Sequence, residues 1–501
     1  MSVVFQKQFQ CEKGYLICYL NGNGYVSVDG KVYRENTRIE LTSGEHAVLV
    51  LVSNRTGFPS VFIESDVCPS DGSWTSNYCA GEFTPVGYNE HFDSKDKNPE
   101  IFPFEYENKM PVAEERINDG VLYDFGTELF GYLNISGANE NEKMGVFYGE
   151  SREEALDTEY SHISECIQGQ KAYRLRQRAF RYIYIKNASA HLSVSMDYEF
   201  LPLEELGKFE CDNALFNDIQ SVAVYTFHLN CREVFFDGIK RDRWAWAGDS
   251  CIDFRINRYL FADKEIEERT LIGLAGKPPI EQPINRILDN SMYWLIMLYE
   301  HYMTYGDKVF LQRIYPMAKK ILEFCESRLN EDGFIEGILD DWTFIDWCDM
   351  EKVGAVCAEQ MLLVRAYFSM STIAQVLGKS ESKTLLEKGE TLKQRVNEYY
   401  WDEQKGGFID SYKSGNAHIT RHANIFAVLY DIATEEQAKS ILENVLKNDN
   451  VTKITTPYFE GYQLDVLAKF GEFEAIEERL TSYWGGMLKL GGKNDLGRIS
   501  S

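Results

Sequence analysis

The chain has no CxxC pair and no histidine or cysteine set at metal-ligand spacing; its eleven cysteines are scattered singly, and their number is odd. That argues against a disulfide framework and gives no reason to expect a metal centre. Positive charge is scarce, with 52 Lys+Arg against 78 Asp+Glu and a net charge of −26. Such a surface repels phosphate backbones and anionic lipid, so neither nucleic acid nor a membrane is an expected partner. The N-terminal stretch Met1-Ser-Val-Val-Phe-Gln-Lys-Gln-Phe-Gln10 has no apolar run of signal-peptide length, and no later segment approaches a transmembrane span. The expectation is a cytoplasmic protein with reduced thiols. Also missing are a phosphate-cradling glycine-rich loop, a nucleophile elbow, a repeat of fixed period and a low-complexity linker.

What is present is a large chain with an ordinary core composition. The 501 residues exceed what one core usually supports, so two or more domains are expected, and 44% hydrophobic content is enough to fill them. Aromatic residues reach 14%, with 30 Tyr and 30 Phe, which suits both a core and a carbohydrate cleft.

Residues 1–205 read as β structure. Runs such as Tyr15-Leu-Ile-Cys-Tyr-Leu20, His46-Ala-Val-Leu-Val-Leu-Val52 and Tyr182-Ile-Tyr-Ile185 are separated by the turn signals Asn21-Gly-Asn-Gly24, Asp29-Gly30 and Ser43-Gly44. This is the rhythm of antiparallel sandwiches, in one or two subdomains. From about 207 the period becomes helical: apolar residues at 385, 392, 396 and 399 form one stripe, and similar stretches recur near 213–230, 291–305, 310–328, 357–376, 419–431, 435–446, 459–470 and 473–484. Paired helices over the region 206–501 suit a toroid of helical hairpins, although periodicity alone does not distinguish it from another all-α array.

The segment Asp237-Gly-Ile-Lys-Arg241-Asp242-Arg243-Trp244-Ala-Trp246-Ala-Gly248-Asp249 crowds carboxylates, cations and two indoles together. Neighbouring charges, rather than water, set the protonation of such carboxylates. Indole faces stack on the C–H faces of a sugar ring, so the mixture points to glycoside chemistry. Asp340-Asp-Trp342-Thr-Phe-Ile-Asp346-Trp347 repeats the combination of indole and carboxylate.

An Asp, then Arg-Asp, then Trp-x-Gly-Asp, followed by Ser-Cys-Ile-Asp-Phe, resembles the catalytic segment of the α-L-rhamnosidases of glycoside hydrolase family 78. Six further stretches in the same order are similar to signatures of that family. Gly120-Val-Leu-Tyr-Asp124-Phe-Gly-Thr-Glu128-Leu-Phe-Gly131, Tyr148-Gly-Glu-Ser-Arg-Glu-Glu-Ala155 and Arg178-Ala-Phe-Arg-Tyr182 fall in the β region. Phe344-Ile-Asp-Trp347, Arg421-His-Ala-Asn424 and Thr455-Thr-Pro-Tyr-Phe459 fall in the helical region.

The resemblance implies an N-terminal β-sandwich region followed by an (α/α)6-barrel catalytic domain. It implies release of terminal α-L-rhamnose from a small rhamnoside or oligosaccharide by an inverting single displacement, with water, no cofactor and no metal. Homodimerisation stays open. Asp242 is then the general acid. Arg241 and Arg243 beside it favour the ionised form, so proton donation requires burial or nearby carboxylates, which Asp237 and Asp249 can supply. Asp237, Arg241, Trp246, Asp249, Trp342, Asp346 and Trp347 are the expected substrate contacts. Asp249 could equally cap a helix, Trp244 could be platform or core, and His422 reads as a structural histidine at a helix start.

The end of the chain departs from the resemblance. After Tyr483-Trp-Gly-Gly-Met-Leu-Lys-Leu-Gly491, members of the family continue toward Trp-Glu, and that Glu is the general base. Here Gly492-Lys-Asn-Asp-Leu-Gly497-Arg-Ile-Ser-Ser501 puts Gly497 in its place. One choice of codons, shifted by a single base, would read Gly-Ala-Lys-Thr-Ile-Trp-Glu-Glu-Phe. The expectation is a frameshifted or truncated terminus that lacks the base and a small β domain, and hence an impaired enzyme that still binds sugar. The alternative is a divergent terminus with another base, Glu460 being the nearest in sequence.

Overall fold

The computed structural model describes residues 2–55, 58–79, 81–88, 92–97, 104–188 and 192–489. Two compact units result, Met1–Pro103 and Phe104–Ser501.

In the first unit, the period-two pattern does what pleat geometry demands. Along Gly44–Ser53, His46, Val48, Val50 and Val52 point inward. The three valines share one core with Leu16 and Cys18 of Gly14–Asn21, Ile39 and Leu41 of Ile39–Leu41, and Ile63 of Ser60–Ser65. A six-stranded and a three-stranded antiparallel sheet supply these residues. The Asp29-Gly30 signal forms a two-residue hairpin between Val28 and Lys31, with φ of 50° and 78° at its two positions. Both values are left-handed, as the primed hairpin turns require.

The second unit opens with a seven-stranded antiparallel sheet whose two longest strands, Gly120–Ser136 and Ala172–Lys186, pair along most of their length. Its core holds Phe130, Tyr148 and Phe180, and the same cluster takes in Leu229 of helix Ala214–Asn230 and Ile239 of the acid-rich loop. The loop is therefore anchored through the sheet's own core.

Helices follow, alternating in how much of their surface they bury. Leu288–Tyr305, Cys357–Val376 and Arg421–Leu429 are buried nearly all round. Lys308–Glu326 and Ser382–Tyr400 bury one stripe each, as helices backing an inner layer should. In Ser382–Tyr400 the buried stripe is Leu385, Gly389, Leu392, Val396 and Tyr400. Tyr399, expected inside, is 37% exposed. The 3.6-residue period carries 385 to 396 and then to 400, and Gly389 joins the stripe because Phe368 lies where a side chain would project. Helix Lys264–Leu274 lies outside the expected stretches, and Ala247–Leu260 was expected only as the stretch that Asp249 could cap. Asp249, Asp253, Arg255 and Arg258 interrupt the apolar pattern of the latter. Among the described residues, no helix is long and apolar enough to cross a membrane, and all eleven cysteines are free.

Candidate active site

The acid loop is closed on itself. Asp237 N donates to Trp244 O at 3.0 Å, and Trp244 N donates to Asp237 Oδ1 at 3.0 Å. On the sheet side, buried Ile239 and Lys240, which pairs with Glu150 at 3.1 Å and Glu154 at 2.8 Å, hold the tip down. Arg241 and Asp242 are left exposed at that tip. Arg243 has φ of 50°, a left-handed backbone uncommon for a residue with a Cβ, and its Nη1 donates to Gln177 O at 3.3 Å.

Beyond the loop, Asn285 grips both flanks of Trp246. Its Nδ2 donates to Ala245 O at 3.0 Å and its Oδ1 accepts from Ala247 N at 3.2 Å. Trp246 is the N-cap of helix Ala247–Leu260, so Asp249 lies in the first helical turn rather than at the cap. Asp253 stands one turn further along the same face. Gly248 has no side chain for a physical reason: a Cβ there would lie 2.7 Å from the Tyr458 hydroxyl.

Asp237, Asp249 and Asp253 are each held above the ordinary carboxylate value. Burial, then the charge of Asp237, pushes Asp249 up to about 6. Burial, then Asp249 and Asp237, raises Asp253 well above the ordinary carboxylate range. Asp237 is raised by burial and by Asp242, against the pull of the Trp244 N–H. Among the described residues, no side-chain partner neutralises Asp242, Asp249 or Asp253.

The tryptophan loop is held by different means. Trp342 N donates to Arg286 O at 3.1 Å, and Leu288 N donates to Trp342 O at 2.9 Å. Asp289, fully buried, accepts from Phe344 N at 3.0 Å and Ile345 N at 3.2 Å. Burial pushes it up to about 6 despite those two donors. Ile345 sits at φ of 53°, which for a β-branched residue is strained backbone stored beside the candidate site. Asp346 is buried, and its oxygens accept from Thr456 Oγ1 at 2.8 Å, His422 Nε2 at 3.0 Å and Trp347 N at 2.8 Å. Trp342, Phe344 and Trp347 form an edge-to-face group with centroids 5.2–5.9 Å apart, with Trp342 46% and Trp347 69% exposed.

Two structural links bring the loops together. The segment 284–288 grips Trp246 through Asn285 and Trp342 through Arg286 and Leu288. The start of helix Pro457–Phe470 touches both sides, with Thr456 on Asp346 and Tyr458 against Gly248, where burial, then Tyr462 and the charge of Asp249, raises the phenol. The charge of Asp242 reaches Asp237 and that of Asp237 reaches Asp249, Trp246 and Trp342 share one splint, and Asp346 adjoins Trp347. Among the described residues Arg241 makes no ion pair, and Trp244 is 61% exposed, away from the core.

Sequence reading passed over Asp253, Asp289 and Tyr458, and it read His422 as structural without naming Asp346 as its partner. The signal for His422 was the polar run Arg421-His-Ala-Asn424, all of it buried at a helix start. Glu460 is fully buried, with Oε1 bonded to Arg479 Nε at 2.5 Å and Gln463 Nε2 at 3.1 Å. Gly497 and the rest of the tail from residue 490 lie outside the described residues. Among the described residues, no group of three or more His, Cys, Asp or Glu could hold a metal ion.

Comparison with known proteins matches residues 3–185 to the family described as alpha-rhamnosidase-like, bacteroidetes, N-terminal. Residues 204–458 match the bacterial alpha-L-rhamnosidase 6 hairpin glycosidase domain. An alpha-L-rhamnosidase of Formosa agariphila is 23% identical over 418 residues, covering 72% of this chain and 43% of that protein. Among solved structures, a rhamnosidase from Klebsiella oxytoca with rhamnose bound has a TM-score of 0.67 at 20% identity, over 77% of this chain and 88% of that one. The family 78 rhamnosidase of Bacillus sp. GL1 has a TM-score of 0.66 at 18% identity, over 97% and 62%. At these identities the structural likeness speaks for a common fold of antiparallel sheets followed by helices. The chain spans less than half the length of the Formosa relative.

Proposed function

Since the chain belongs to the bacterial alpha-L-rhamnosidase 6 hairpin glycosidase family, we propose that it releases terminal α-L-rhamnose from rhamnosides in one inverting displacement, using water and no cofactor. Asp242 gives its proton to the glycosidic oxygen as the C–O bond breaks, while water attacks the anomeric carbon from the opposite face and loses its proton to a carboxylate. Asp237, Asp249 and Arg241 bind ring hydroxyls, Trp246, Trp342 and Trp347 offer apolar faces, and Asp346 positions Trp347. The observation that carries this reading is the closed loop from Asp237 to Trp244, with Asp242 exposed at its tip, beside an indole clamped by Asn285. An (α/α)6 barrel over 206–501 is supported by the alternation of fully buried and one-face-buried helices, and a β-sandwich region over 1–205, in two subdomains, by the two sheets that share a core in the first unit and by the separate seven-stranded sheet of the second. Free thiols fit a reducing compartment.

Inversion requires the base about 6.5–9.5 Å from the acid. Glu460, sealed from solvent and held by Arg479, is poorly suited to activating water. That favours a second reading, a carbohydrate-binding protein that keeps the sugar site and hydrolyses slowly. Turnover of a natural rhamnoside, followed by the configuration of the first-formed rhamnose by NMR, decides between them: rapid release of the inverted anomer supports the enzyme, and binding without turnover supports the second reading. Asp242→Asn should lower kcat by about 10²–10⁴-fold while leaving sugar binding intact. Normal turnover by that variant would remove Asp242 from the mechanism.

A further inference from the structure

Asp242 has two sides. Next to it in charge is Asp237, which with Asp249 and Trp246, at the start of helix Ala247–Leu260, makes up the group assigned above to the rhamnose ring; none of the three lines the cavity on the sheet side. Toward the sheet, Asp242 lines a separate cavity of about 250 Å³ together with Phe130, Gln177, Arg232, Glu233, Phe236 and Arg243. This is small beside the roughly 300–1,000 Å³ of drug-sized sites, and it offers room for one ring rather than a chain. A general acid must stand at the glycosidic oxygen, with the sugar being released on one side and the leaving group on the other. If the helix side holds rhamnose, the cavity on the sheet side receives the leaving group.

The charges in the cavity differ in how they are answered. Arg232 is buried and its guanidinium is bonded to Glu199, donating from Nη1 to the Glu199 carbonyl at 2.9 Å and from Nη2 to its carboxylate. Its charge is matched within the fold. Arg243 has no carboxylate within ion-pair distance among the described residues; its bond is to the Gln177 carbonyl at 3.3 Å. Arg178 donates to the same carbonyl at 3.1 Å, and its own carboxylate partner, Glu165, is 3.9 Å away. Two guanidinium groups therefore converge on one neutral oxygen, in a chain whose net charge is −26. The opposing charges at the cavity are Asp242, which must carry a proton to act as the acid, and Glu233, which is exposed to solvent. The left-handed backbone at Arg243 shows that the fold holds this residue in place against a local preference. A planar guanidinium in a mainly polar pocket matches a carboxylate in shape and charge.

We propose that this cavity is the leaving-group subsite and that Arg243 makes it selective for a rhamnoside whose leaving group is a hexuronic acid. The inference rests on the rhamnosidase reading, and its test separates the two. The substrates are an α-L-rhamnosyl hexuronic acid, the same disaccharide with its carboxylate reduced to the primary alcohol, and an aryl α-L-rhamnoside. The expected result is a kcat/KM about tenfold higher for the uronate than for its reduced twin at low ionic strength, shrinking as salt is added. Arg243→Gln should bring the ratio close to one and Arg243→Lys should retain part of it; a merely structural role would lower both substrates together and leave the ratio unchanged. In the unaltered protein, free hexuronate should inhibit more strongly than the neutral hexose. Cleavage of the aryl rhamnoside with equal rates on the matched pair overturns the subsite and leaves the rhamnosidase reading standing. If no rhamnoside is cleaved, that reading falls and binding of the pair by calorimetry decides the subsite: tighter uronate binding that Arg243→Gln abolishes supports it, and equal binding overturns it.

Discussion

In the tryptophan loop, Asp346 has His422, Thr456 and the Trp347 N–H on its oxygens, and Asp289 has the N–H groups of Phe344 and Ile345. In the acid loop, Asp237 accepts only from backbone N–H groups, and Asp242, Asp249 and Asp253 have no side-chain partner among the described residues. Both loops are built from aspartate and tryptophan, yet one uses its carboxylates as fasteners and the other leaves them open. A satisfied buried carboxylate fixes backbone, here the strained turn that presents Trp347. An unsatisfied one is held at a cost in stability, and folds accept that cost where a ligand or a proton is to be handled.

Substitution should therefore act with opposite sign in the two loops. Asp346→Ala leaves His422 buried with neither ring nitrogen bonded, since Nδ1 already has no partner. Leaving a buried donor without its acceptor costs about 1–3 kcal/mol, and Asp346 serves His422, Thr456 and the Trp347 N–H, so denaturant unfolding should show a loss of about 3 kcal/mol or more together with a fall in activity. A loss below about 1 kcal/mol would mean that the cluster is not a fastener.

Asp249→Asn should do the reverse above pH 6. In the folded protein Asp249 holds its proton up to about 6 against an ordinary 3.8. Between those values the folded state binds more protons than the unfolded state, so stability falls as pH rises through the window, and the deficit is fully present above it. The amide removes the deficit. Asp249→Asn should thus stabilise the protein at pH 7.5 by up to about 3 kcal/mol, show no gain near pH 3.5, and still lose turnover. An equal gain at both pH values would place its origin elsewhere than in the charge. Gly248→Ala, next in size, pushes a methyl to within 2.7 Å of the Tyr458 hydroxyl. Overpacking of this kind costs about 1–3 kcal/mol, and a neutral result by thermal unfolding would show that Tyr458 moves aside.

The two loops also differ in how much of them was legible in the sequence. Asp237, Asp242 and Asp249 stand out because charge and indole crowd together locally, and local crowding is what a sequence displays. The tryptophan loop was visible as a motif, but Asp346 read as a sugar contact. Its partners lie 76 and 110 positions away, and nothing in the local pattern says that its oxygens are taken. Asp253 and Asp289 were missed for a related reason: each looks like an ordinary polar residue in the first turns of a helix until burial removes the water. The β strands and most helices followed from period alone. Helix Ala247–Leu260 did not, because the charges that make it interesting also break its stripe.

The smallest effect tests the exposed side of the comparison. Trp347 is 69% exposed and Trp342 46%, and their rings meet edge to face at a centroid distance of 5.9 Å. Removing an exposed ring that fastens nothing should change stability by no more than about 0.5 kcal/mol. The platform role predicts instead a binding effect: Trp347→Ala should raise KM for a rhamnoside several-fold, with kcat changed less, because stacking contributes to the bound ground state and the transition state alike. Trp342→Ala should do the same but lose more stability, since its ring is the less exposed of the two and packs on Phe344 at 5.3 Å. If Trp347→Ala instead lowers stability as much as Asp346→Ala, the indole is part of the fastener and the division between an open loop and a fastened one fails at its most exposed residue. If neither variant moves KM, the sugar is held on the acid side alone, by Trp246 and the aspartates around it.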